Sequence, residues 1–285
     1  MEISFEKEVE VQESDHIIRE KAFERVQKSL REYAIDPQEF TDLYGKNNIE
    51  KDKRYVSEME AIFKADRSTL EFLKKTATIF EAIVNECGES CNWFGPDAIM
   101  IKTTRYDDIE NNTDEIVEFE EGENSASWLA LAIDVTFSQK LDKKFDAIYE
   151  EIDNGSMAII KYFKSERMNI RGEMSMIPHV VIGADLDTVN ELMRLWNEKK
   201  NNTLSGHFIQ FQILEEVLIQ CESFAKYAEA IGKNNVCDAY KKSAETIRKI
   251  IEEKKKTVND TGVRDKVHAA IAEYSRTKRI AAPAL

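Results

Sequence analysis

Apolar residues in the first 90 positions recur at helical spacing. Ile17, Ile18, Phe23, Val26 and Leu30 mark one amphipathic stretch. Asp36-Pro37-Gln38-Glu39 then places an N-cap, a first-turn proline and a capping acid in the order that opens a short helix. After the turn-like Gly45-Lys46-Asn47-Asn48, Val56, Met59, Ile62 and Phe63 give another helical pattern. The strongest follows through Leu70, Leu73, Ile79, Phe80, Ile83 and Val84, with Ser68 and Glu71 as its capping box and Gly88 as its stop. Glu81 lies near the apolar face of that helix.

The period then turns extended. Asp97 to Lys102 reads as a strand, Asn111-Asn112-Thr113 as a turn, and Asp114 to Glu120 as a second strand. A third runs from Trp128 to Phe137. Leu141, Phe145, Ile148, Tyr149 and Ile152 mark an amphipathic helix closed by Asn154-Gly155, and strands follow at Met157 to Phe163 and His179 to Gly183. Beyond Asp187 the chain is helical again, with segments near 187–200, 205–231, 236–256 and 263–278. This order predicts an α/β protein with a mixed central β-sheet flanked by helical extensions. It divides into an N-terminal helical region (1–65), an α/β core (66–200) and a C-terminal helical region (201–285).

Composition agrees: 10 Gly and 4 Pro in 285 residues favour long helices over turn-rich sheets. No apolar run approaches the roughly 18–20 residues of a membrane span, so no membrane partner is expected and a cytoplasmic location is the default. Four cysteines, at 87, 91, 221 and 237, are too few for a disulfide framework. The net charge of −14 argues against a polyanionic partner, but it is unevenly placed. Residues 1–140 hold 17 basic and 32 acidic residues (−15), and residues 141–285 hold 23 and 22 (+1). Nine carboxylates fall within 105–123 against one basic residue, Arg105.

The third strand carries the candidate chemistry. Leu131, Ile133, Val135 and Phe137 alternate with Ala130, Ala132, Asp134, Thr136 and Ser138, which sets Asp134 at the end of an otherwise buried strand. A charge there needs a partner, a hydrogen bond or a metal. Antiparallel pairing brings Asp114, at the start of the second strand, beside it. With Glu81 from the helix, three hard oxygen ligands would suit Mg²⁺ or Mn²⁺. The plain alternative is that Asp134 caps the next helix or pairs with a lysine.

Glu81, Tyr106-Asp107-Asp108, Thr113-Asp114-Glu115-Ile116-Val117-Glu118 and Ala132-Ile133-Asp134-Val135-Thr136, in this order of helix and strands, resemble the PD-(D/E)XK nuclease-like superfamily over about residues 66–165. The resemblance implies an αβββαβ restriction-endonuclease-like core and metal-dependent hydrolysis of phosphodiesters in DNA or RNA. It makes Asp114 and Asp134 metal ligands, Glu81 a possible third, and a lysine two residues beyond Asp134 the group that orients the attacking water. The chain departs from the pattern there, since Thr136 cannot supply a cation. Lys140, Lys143 and Lys144 on the next helix, Lys161 and Lys102 are candidates for a displaced lysine, and Lys140 is taken as the catalytic one. The alternative is a non-catalytic interaction module that keeps the fold.

Other features carry bland readings. Asp107 and Asp108 suit a solvated loop, and Glu115, Glu118, Glu120 and Glu121 an exposed strand face. Cys87 and Cys91 form a Cys-x₃-Cys without a second pair for zinc. No Walker motif, nucleophile elbow or HExxH occurs. Phe208, Phe211, Leu214, Val217, Leu218, Cys221 and Phe224 would pair with the helix at 236–251, packed on the core or on a partner subunit, and a homo-oligomer through these helices is one expectation.

Overall fold

The computed structural model describes residues 16–28, 35–65, 71–122, 125–134 and 139–277, and leaves the side chains of 134, 139 and 140 outside that description. Residues 16–28 are helical (α1). The Asp36 carboxylate accepts the Gln38 N–H at 2.9 Å and opens a 3₁₀ turn over Pro37–Phe40, which runs into α2 (Thr41–Tyr44). Only Gly45, at φ 76°, makes the following turn; α3 (Lys46–Ala65) begins directly after it. The capping-box residue Ser68 lies outside the described residues.

Helix α4 (Glu71–Ser90) buries Ile79, Phe80, Ile83, Val84 and Cys87. Gly88 is not its stop, because the helix continues to Ser90. A Cβ at position 88 would sit within 2.6 Å of the Met100 side chain, so this glycine lets α4 lie close on the sheet.

Strands β1 (Ala98–Lys102), β2 (Glu115–Gly122) and β3 (Ser125–Asp134) form an antiparallel meander, with Lys102 opposite Glu115 and Glu115 opposite Leu131. Between β1 and β2 the acid-rich segment is a helix, α5 (Arg105–Asn111), and not a loop. Thr104 Oγ1 caps it by accepting the Asp107 N–H, and Asn112 at φ 51° ends it. Helix α6 (Gln139–Asp153) follows β3. The strand expected at 157–163 does not enter the central sheet. It runs as β4 (Ala158–Ser165) and pairs with β5 (Ile170–Ile177), a strand the periodicity does not announce. Then β6 (His179–Gly183) returns parallel to β3, which gives a mixed four-stranded sheet of order β1-β2-β3-β6.

The remaining helices are α7 (Leu186–Asn197), α8 (Asn201–Ser205), α9 (Ile209–Ala230), α10 (Asn234–Lys254) and α11 (Lys266–Thr277). Val117, Leu129, Leu131 and Val181 join the buried faces of α4, α6, α7 and α9 in the large core. On the other side Ile116 and Ala130 meet Ile160, Phe163 and Ile177 of the β4–β5 hairpin. Phe211, Val217, Cys221 and Phe224 of α9 share the large core with Val236, Tyr240 and Ile247 of α10, so this apolar face is covered within the chain. No helix among the described residues is long and apolar enough to cross a membrane.

The outer edge of β6 is closed by side chains. Gln220 of α9 accepts the Val181 N–H at 2.8 Å and donates to the Val181 carbonyl at 2.6 Å. Glu216 accepts the Gly183 N–H at 3.0 Å, and Gln212 donates to the Gly183 carbonyl at 3.1 Å. The Tyr240 hydroxyl serves both backbone groups of His179. Residues 212, 216 and 220 recur every four positions, which lines them along one face of α9 and makes them a surrogate strand for an edge that would otherwise be buried unpaired.

Candidate functional site

Asp114 immediately precedes β2, Asp134 ends β3, and Glu81 of α4 feels the Asp114 charge. The Asp114 N–H donates to the Leu131 carbonyl at 2.9 Å, and its Oδ2 accepts the Ile133 N–H at 2.7 Å. This buried carboxylate is thus fixed against the residue preceding Asp134. Asp134 ends β3 opposite Gly183, with its side chain outside the described residues. The Lys144 Nζ, reaching back from α6, donates to the Ile133 carbonyl at 2.6 Å.

Of the other candidate lysines, Lys161 is drawn away: it pairs with Asp52 and lies 5.0 to 5.5 Å from the ring centres of Tyr106, Tyr44 and Tyr162. Lys102 stands between Glu81 Oε2 at 3.3 Å and Glu115 Oε1 at 3.2 Å. Lys143 is exposed, and the Lys140 side chain and Thr136 are outside the described residues.

Around Lys102 the charges do not balance. Glu115 has no exposed side-chain surface, accepts from Asn85 Nδ2 at 2.7 Å and has only the lysine for its second oxygen among the described residues. Burial pushes its carboxyl up to about 7, against the pull of Lys102. Burial likewise raises Glu81 to about 8, opposed by Lys102 and reinforced by Asp114, Asp108 and Glu115. Asp108 rises to about 6 through burial and the neighbouring Asp114, with Arg105 and Lys102 opposing. Burial works against the Lys102 ammonium, but the surrounding acids outweigh it and hold its pKa above the ordinary range. Lys102, with Arg105 on Asp108, therefore faces four carboxylates, and at neutral pH Glu81 and Glu115 hold part of their protons. A cavity of about 950 Å³ lies alongside, lined by Glu81, Asn85, Lys102, Glu115, Glu118 and Arg167 among others.

Several acids are placed differently from their sequence readings. Asp107 is fully buried, and its carboxylate accepts from Thr104, Asn111 and the backbone N–H groups of Lys161 and Tyr162. It ties α5 to β4 and is structural. Glu115 and Glu118 are buried, not solvated, because Lys102, Asn85, Trp128 and Arg167 meet them. Glu120 and Glu121 are exposed as expected.

No family model, curated protein or solved structure matches the chain.

The donor set at this corner is oxygen only, which fits a hard divalent cation. Among the described residues, which exclude the Asp134 side chain, no three His, Cys, Asp or Glu side chains form a group that could hold a metal ion. The Asp114 Oδ2 is engaged by Ile133, so Oδ1 is the oxygen such an ion would take. Glu81 is engaged by Lys102 and, raised to about 8, would have to lose a proton to join.

Proposed function

We propose that this chain is a Mg²⁺- or Mn²⁺-dependent phosphodiesterase of the PD-(D/E)XK nuclease-like type, acting on DNA or RNA. The observation that carries it is the junction at Ile133. Its N–H holds the Asp114 carboxylate, its carbonyl holds the Lys144 ammonium, and the next residue is Asp134. The Asp114 carboxylate and the Lys144 ammonium thus meet at the backbone that leads into Asp134, which supports the grouping that the resemblance requires of the metal ligands and the displaced lysine. An antiparallel meander followed, across α6, by a parallel strand also supports the reading, with α5 and the β4–β5 hairpin as insertions in the αβββαβ order.

In this reading Asp114 and Asp134 would hold the cation, which would supply charge to the scissile phosphate and acidity to a bound water. Lys144 takes the place of the lysine missing at 136 and neutralises charge developing on the phosphate. The fixed backbone bonds to Asp114 keep its carboxylate in one orientation, so little reorganisation is needed on binding. A cation also reverses, locally, the repulsion of a polyanion by the −15 charge of residues 1–140.

A second reading rests on Lys102. If its pairs with Glu81 and Glu115 are what this corner is for, the chain is a non-catalytic module that keeps the fold. Incubation with single- and double-stranded DNA and RNA in Mn²⁺ separates the two, beside Asp134→Ala and EDTA controls. Cleavage that disappears in both controls supports the phosphodiesterase; identical traces in every lane leave only the module.

A further inference from the structure

The central sheet has two edges, and only one of them is closed. Side chains of α9 and α10 pair the backbone of β6. At β1 the Met100 N–H turns away from β2 and donates to Glu89 Oε1 at 2.7 Å. Backbone groups alternate along an antiparallel strand, so those of Ala98, Met100 and Lys102 face outward while those of Ile99 and Ile101 pair with β2. Glu89 takes one outward group. The Met100 carbonyl and the Lys102 N–H have no partner among the described residues.

The cavity of about 950 Å³ runs along this edge, with residues 99–102 of β1 between a wall from α4 and a wall from the end of β4. At about 3.3 Å per residue the strand is roughly 17 Å long, which matches one extended segment of about five residues. The two sides differ in chemistry. Met100 and Lys102 share the α4 side with Glu81, Glu86 and Glu89, whereas the half-buried Ile99 and Ile101 face the β4–β5 hairpin. Seven carboxylates line the cavity against three cations, Lys102, Lys164 and Arg167. One of the seven, Glu118, is fully buried and binds Trp128 Nε1 through Oε2, but its Oε1 accepts no hydrogen bond. The nearest cation, Arg167, stands 3.9 Å off and donates instead to the Asp97 carbonyl. Asp114 does not line the cavity.

We propose that the β1 edge is a docking groove for an extended basic peptide segment of a partner protein, which adds antiparallel to β1 as a fifth strand. Residues of the segment opposite Met100 and Lys102 bond the outward backbone groups and project to the α4 side, where basic side chains meet Glu86 and Glu89. The alternate residues are apolar and rest beside Ile99 and Ile101. Main-chain bonds supply affinity in such a complex, and the side-chain alternation supplies selectivity. Charge decides between a basic segment and a second copy of this chain. Two β1 edges pairing about a two-fold axis would bring one acid-rich groove against another, and like charges so placed oppose association.

The test titrates the full chain, in EDTA so that no metal contributes, into a labelled, capped peptide of about seven residues that alternates arginine with valine. Fluorescence anisotropy should show saturable binding. N-methylation of the arginine amides, which face β1 in this arrangement, should abolish it, and N-methylation of the valine amides should leave it unchanged. Replacing the arginines by glutamates should also abolish it. Glu89→Gln keeps an acceptor for Met100 and should weaken binding roughly two- to five-fold. Amide exchange at Lys102 should slow at least about ten-fold when the peptide is present. Absence of saturable binding overturns the proposal, as does equal binding of the glutamate peptide or of both N-methylated peptides. A Lys102 amide already protected in the free monomer would show the edge filled from within the chain, and one protected in a peptide-free dimer would show it filled by a second copy; either result overturns it.

Discussion

Two rows of buried polar side chains serve the same sheet. On α9, Gln212, Glu216 and Gln220 each bond the backbone of β6. At the opposite corner Glu81, Asp108, Asp114 and Glu115 gather around Lys102. A raised carboxyl does not distinguish the rows, because burial puts Glu216 at about 7 and Glu115 at about 7 alike. Their partners do. Glu216 accepts a backbone N–H and faces His268 at 3.6 Å, which fits an edge-closing role. The corner gathers four acids around Lys102, with Arg105 on Asp108, beside a wide cavity and with Lys144 at the strand end. Uncompensated buried charge costs stability and has to be explained by something other than the fold.

The largest effect should come from breaking the row that pairs the β6 backbone. Gln220→Ala leaves the Val181 N–H and carbonyl unpaired in the core, costing about 3 kcal/mol and lowering Tm by roughly 6–12 °C. Thermal unfolding measures this, and a loss near zero would deny the surrogate-strand role. Next, Lys102→Met removes the one cation between Glu81 and Glu115. At pH 8 it should destabilise by about 2–3 kcal/mol, and at pH 5, where both acids hold protons, by clearly less. Equal losses at both pH values in urea titrations would show that the acids do not titrate as described.

A smaller effect of opposite sign tests the same charges. Glu81, Asp108, Glu115 and Glu216 all have folded pKa values above their ordinary carboxylate values, so between about pH 4.5 and 8 the folded state binds more protons than the unfolded chain. Their contribution to stability is greatest below that window and falls as pH rises through it. Glu115→Gln should therefore gain on the order of 1–2 kcal/mol at pH 8 and almost nothing at pH 5. A gain independent of pH would assign it to packing instead.

Much of this was legible in the chain. The 3.6 and 2.0 periodicities located α4, α6, β1 to β3 and β6, and antiparallel pairing alone foretold that Asp114 would lie against the end of β3. What escaped depended on partners remote in sequence. Asp107 and Asp108 look solvated until the β4 backbone and Asp114 are brought to them, and Glu115 until Lys102 faces it across the hairpin. Strand β5 has alternating half-exposed positions and Gly172 at φ 133°, so no apolar run marks it. Two signals were present but faint: the polar stripe at 212, 216 and 220 on an otherwise apolar helix, and the pairing of Lys102 with Glu115 implied by a β1–β2 hairpin.

The most direct measurement is a calorimetric titration of Mn²⁺ into the wild-type protein, Asp114→Asn and Glu216→Gln. The account predicts saturable binding of Mn²⁺ by the wild type, unchanged binding by Glu216→Gln, and loss of binding in Asp114→Asn. No saturable binding by the wild type, or equal binding by all three proteins, would contradict it.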